Sequence, residues 1–141
     1  MLDKRKYIDT LVKNFWKLGY LTVKRKFGTY LPEPGKIGEF DIDVVAKQEK
    51  NYAIGITLHS EELNNPKLLE KITFLATRHT KFSNRQVQLF LGIPSKHYKK
   101  IKQLVELLDN EVKKNIKLIS ITETNIPSVR NKKKTEENLF A

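Results

Sequence analysis

The residues best suited to chemistry lie close together: Glu39, Asp41 and Asp43 in Gly-Glu-Phe-Asp-Ile-Asp-Val-Val-Ala-Lys, then His59 closing Asn-Tyr-Ala-Ile-Gly-Ile-Thr-Leu-His. Carboxylates are hard oxygen donors that suit Mg²⁺, and an imidazole suits a softer cation. Period-two alternation predicts Phe40, Ile42, Val44 and Ala46 on one strand face and Glu39, Asp41 and Asp43 on the other. In the second segment Ile54, Ile56 and Leu58 alternate with Gly55, Thr57 and His59, and the link Gln48-Glu49-Lys50-Asn51 is short enough for a hairpin. If the isoleucines take the buried side, Gly55 and Thr57 face Asp43 across that hairpin. The candidate metal ligands are therefore Asp43, Asp41 and His59. The same run of acids also fits a plain solvent-facing strand. The chain has no cysteine, so disulfides, thiolate metal sites and thiol nucleophiles are excluded.

The flanking segments must position this hairpin. Ile8, Leu11, Val12, Phe15 and Leu18 recur at helical spacing, predicting a helix over 4–18 that stops at Gly19. Residues 20–27 read as a strand, followed by a loop over 28–38 that holds Pro32, Pro34 and Gly35. Lys24, Arg25 and Lys26 form a cationic cluster, equally suited to phosphate contacts and to guarding an edge strand against aggregation. Asn65 and Pro66 predict the start of a second helix running to about His79, with Leu68, Leu69, Ile72, Leu75 and Ala76 inward and His79 at the edge of the core. Glu70 falls opposite that stripe, and Lys71 borders it. Residues 86–93 read as a buried strand and Ser95 as the cap of a third helix whose stripe runs from Tyr98 to Val112. Residues 116–122 read as a last strand. The order is helix, three strands, helix, strand, helix, strand, an α/β arrangement with a mixed central sheet flanked by helices.

Composition bounds the function. At 141 residues the chain suits one domain, over 1–125, followed by a basic, disordered tail over 126–141 with Arg130, Lys132, Lys133 and Lys134. Lysine and arginine total 27 against 16 acids, a formal charge of +11, which reads first as attraction to a polyanion and makes nucleic acid the expected partner. A lysine-rich solubilising surface gives the same balance. No apolar run approaches a membrane span and the start is not signal-like, so a cytoplasmic protein with no membrane partner is expected.

Around Phe-Asp-Ile-Asp-Val-Val-Ala and Tyr-Ala-Ile-Gly-Ile-Thr-Leu, and in the order of elements over roughly 4–122, the chain resembles the PD-(D/E)XK nuclease superfamily, which includes archaeal Holliday-junction resolvases and Mrr-like proteins. The resemblance implies a restriction-endonuclease-like fold. It places Asp43 where the family has its metal-binding Asp, Gly55 where it has Glu, and Thr57 where it has Lys. It further implies that Asp9, on the first helix, helps to position metal or water, and that Lys71 is the best aimed replacement for the lost cation. A DNA-binding protein with a degenerate hydrolytic site is therefore expected. No cofactor is expected unless the site is active, in which case it is Mg²⁺. The alternatives are an active Mg²⁺-dependent endonuclease or resolvase with a relocated Glu and Lys, and a non-catalytic subunit that pairs with an active nuclease paralogue or forms a homodimer. A weaker resemblance links Leu18-Gly-Tyr-Leu-Thr-Val-Lys-Arg-Lys-Phe-Gly and Thr77-Arg-His-Thr-Lys to the tRNA-splicing endonucleases. Arg78 and Lys81 of that segment, with Arg85 beyond it, join Lys24, Arg25 and Lys26 as candidate nucleic-acid contacts.

Overall fold

The first helix, α1 (Lys4–Lys17), buries Tyr7, Ile8, Leu11 and Phe15 along one stripe. Its end is a Schellman closure: Tyr20 N donates to Phe15 O at 2.8 Å and Gly19 N to Trp16 O at 3.0 Å, with Gly19 at φ 87. The computed structural model describes residues 4–81 and 83–122; the tail expected over 126–141 lies outside them. After α1 come strands β1 (Leu21–Arg25), β2 (Lys36–Ile37), β3 (Phe40–Asp41), β4 (Val44–Gln48) and β5 (Asn51–Thr57). Then follow α2 (Leu68–Ala76), β6 (Gln88–Pro94), α3 (Tyr98–Glu106), α4 (Asn110–Lys113) and β7 (Ile116–Ile121).

Five strands form one mixed sheet in the order β1-β4-β5-β6-β7. β4 runs antiparallel to both β1 and β5, whereas β5, β6 and β7 are parallel. α1 covers one face, packing Ile8, Leu11 and Phe15 on Val44, Ala46, Ala53 and Phe90. α2 and α3 cover the other, where Ile54, Ile56, Leu89 and Leu91 meet Ile72, Leu75 and Ile101. A sheet buried on both faces needs near-continuous apolar runs, which β5 and β6 supply. Among the described residues no helix is long and apolar enough to cross a membrane.

Several expectations are corrected. The alternation read through 39–46 breaks at Asp43: Phe40 and Ile42 pack on the α2 side, while Val44 and Ala46 pack on the α1 side. The cause is a separate two-stranded ribbon, β2 with β3, closed at Gly38 (φ 63). Phe40 reaches Phe74 of α2, ring centroids 5.5 Å apart. The chain therefore bends between two sheets. The second helix ends at Ala76, three residues early, because the Thr77 hydroxyl donates to Thr73 O at 2.9 Å and so competes for the last turn. His79 is exposed beyond that end rather than set at the core edge. The third helical stripe is divided into α3 and α4, with Asp109 extended (φ −61, ψ 150) between them.

Candidate functional site

The carboxyl ends of β1 and β5 and the amino end of β4 meet at one end of the sheet, together with the first turn of α1. In open α/β sheets this is where ligands ordinarily sit. Asp43, at the bend before β4, is only 3% exposed and is the one buried charged residue among those described. Its Oδ2 accepts from Thr57 N at 2.8 Å and from the Thr57 hydroxyl at 3.0 Å. Two ammonium groups stand against Oδ1, Lys4 Nζ and Lys26 Nζ, each at 3.5 Å. Backbone bonds fix the carboxylate on both sides, Asp43 N donating to Gly55 O and Lys26 N to Asp43 O, each at 2.9 Å. A buried carboxylate is tolerable only when paired and hydrogen-bonded in this way.

Thr57 leads on to His59, whose Nε2 lies 3.5 Å from the Thr57 hydroxyl and whose ring stacks on Tyr7 at a centroid distance of 5.1 Å. His59 N donates to Glu62 Oε1 at 3.0 Å, which caps the 3₁₀ turn over 60–64. Beyond it, Ser60 Oγ and His97 Nε2 are 3.0 Å apart.

Of the residues singled out from the sequence, Asp43, Thr57 and His59 are brought together. Gly55 is not. It pairs with Val44 and faces α1, where an added Cβ would lie 3.1 Å from Phe15 and 3.2 Å from Leu11. The expectation that Gly55 faces Asp43 is corrected by register: Asp43 sits one residue outside the paired strand, so its side chain reaches Thr57 but not position 55. Asp41 lies exposed on the ribbon opposite Lys36. It borders a shallow depression with Glu39, Glu62 and Lys71, away from the bonds that hold Asp43. Lys71 pairs with Glu62 at 3.4 Å. Asp9 pairs with Arg25 at 2.6 Å.

The cationic candidates are likewise divided. A β-bulge between Thr22 and Lys24 shifts the β1 register and puts Arg25 opposite Val44, on the α1 face, where it meets Asp9. Lys26 is turned onto Asp43, and Lys24 is exposed. Arg78 folds over Phe74, its guanidinium 3.9 Å from the ring centroid. Lys81 and Arg85 are exposed at the opposite end of the sheet. Arg85 reaches Asn51, the first residue of β5, about 20 Å along that strand from Thr57.

Magnesium requires a near-octahedral set of oxygen donors. Among the described residues no group of three or more His, Asp or Glu is placed to share a cation. The Oδ1 edge of Asp43, where a cation would be received, already faces two ammonium groups. The donor set does not fit the metal that the family resemblance implies. What the arrangement offers instead is positive charge: two lysines on one carboxylate, beside Arg5 and Lys6 at the electropositive start of a helix with no acid in its first turn. Lys4 and Tyr7 escaped the sequence reading, yet a signal was present. Lys4 lies one turn ahead of Ile8 on the stripe that continues to Leu11 and Phe15, and a charge on an apolar stripe marks a buried partner. No protein-family model, curated protein or solved structure matches the chain.

Proposed function

We propose that this chain is a DNA-binding protein on a restriction-endonuclease-like fold whose hydrolytic centre has degenerated into a basic binding edge. The observation that carries this reading is the environment of Asp43. Metal-assisted phosphodiester hydrolysis uses free carboxylate oxygens to hold the cation. Here Thr57 and two lysines occupy both oxygens, and position 55 faces the α1 core. The formal charge of +11 supports a polyanionic partner. A five-stranded mixed sheet covered by helices on both faces supports the α/β arrangement on which this reading builds.

One observation favours a second reading, an active endonuclease with a relocated cation: Lys4 and Lys26 place ammonium groups beside Asp43, near where Thr57 replaces the family lysine. Cleavage assays with Mg²⁺ and Mn²⁺ on duplex, single-stranded and four-way-junction DNA separate the two. Binding without cleavage is the expected result. Metal-dependent cleavage that disappears in both Asp43→Ala and Lys26→Ala would establish the active enzyme instead.

A further inference from the structure

The segment leaving β1 carries aromatic rings where a solvent-facing loop ordinarily carries small polar residues. Tyr30 is 95% exposed and Phe27 46% exposed. Phe27 also has φ 60, a left-handed conformation that bulky side chains rarely adopt and that persists only where the surroundings impose it. The imposing contacts are visible. Arg25 N donates to Pro32 O at 3.0 Å and Lys26 N to Asp43 O at 2.9 Å, so the loop is pinned at its base to the site already described. The Arg5 guanidinium lies over the Phe27 ring, 5.5 Å from its centroid. Lys24 is exposed on the last part of β1, and Lys26 stands at Asp43. Cations at 24–26 are thus followed within a few residues by two exposed rings, and a further cation from α1 lies over the first of them.

Positive charge beside exposed rings matches one class of ligand. A duplex presents phosphates and groove edges outward and keeps the faces of its bases stacked inside, so a ring standing off a loop gains little from it. An unpaired strand exposes both phosphates and base faces, and aromatic side chains beside a basic groove are how proteins take it up without regard to sequence. We propose that Phe27 and Tyr30 form a base-stacking platform and that the ligand of this basic edge is single-stranded DNA. The inference rests on the DNA-binding reading above and narrows it.

The test compares a labelled oligothymidylate with a duplex of the same length at one salt concentration, by fluorescence anisotropy. The parent protein is expected to bind the single strand more tightly. Tyr30→Ala, which removes an almost wholly exposed side chain and leaves the core untouched, is expected to weaken single-strand binding about tenfold and to leave duplex binding unchanged. Tyr30→Trp is expected to restore the preference, because a larger ring stacks at least as well. If the parent prefers the duplex, or if Tyr30→Ala changes both affinities alike or neither, the platform is wrong while DNA binding stands. If the parent binds neither form at low salt, DNA binding itself falls, and the platform with it.

Discussion

Asp43 decides what this end of the sheet can do, and its neighbours make its replacement informative. Asp43→Asn keeps an oxygen for Thr57 but turns an amide NH₂ toward Lys4 and Lys26, leaving two ammonium groups without their counter-charge. The expected outcome is a loss of about 1–3 kcal/mol in urea unfolding together with equal or tighter DNA binding, since a repulsive charge has gone. Weaker binding in a protein that is still folded would show that the carboxylate itself helps to hold the ligand. Thr57→Val, nearly the same shape, removes the hydroxyl bond to Oδ2 and the longer contact with His59 while keeping the backbone bond, and about 1–3 kcal/mol is again expected. Gly55→Glu, the substitution that would bring position 55 into line with the nuclease pattern the sequence resembles, is expected to unfold or severely destabilise the protein. Its side chain would have to enter the packing of Phe15 and Leu11, both fully buried. Recovery of metal-dependent cleavage in the double variant Gly55→Glu with Thr57→Lys would contradict the register described for β4 and β5.

At the scale of elements, the bulge in β1 and the β2–β3 ribbon do most to shape the site, and both are devices that alternation alone does not reveal. Thr22 and Arg25 pair with Ala46 and Val44, residues of one face, although an odd spacing should put them on opposite faces; the extra residue supplied by the bulge reconciles the two. Arg25 consequently belongs to α1 through Asp9, and Lys24 to solvent. Arg25→Ala is therefore expected to lower stability as well as binding, whereas Lys24→Ala should weaken binding alone; parallel urea and anisotropy titrations of the two variants test this. The ribbon depends on Gly38, where a Cβ would lie 2.8 Å from the Phe74 ring and where φ is 63. Gly38→Ala is expected to cost about 1 kcal/mol or more, with faster amide exchange confined to residues 36–41.

At the scale of the whole molecule the governing quantity is charge. With a formal charge of +11, DNA affinity should fall steeply with salt, the log–log slope being about −0.9 for each duplex phosphate neutralised and about −0.7 for each on a single strand. Binding that ignores salt would remove the electrostatic basis of the proposal. The sequence by itself determined the α/β class: the apolar stripe of α1, the buried run of β6 and the succession of the five main-sheet strands with the helices between them follow from periodicity, which depends on neighbours only a few residues apart. It also determined that Asp43 and Thr57 meet, because the hairpin between them is short. Where the chain leaves one sheet for another was decided by tertiary structure. The bend at Asp43 follows from Phe40 finding Phe74, more than thirty residues on, and no local pattern encodes that contact. The same holds for the partners of Asp43. Lys4 comes from α1 and Lys26 from the turn that follows β1, both distant in sequence from Asp43, and they converge because a buried carboxylate requires compensating charge and the fold brings those two ammonium groups within reach.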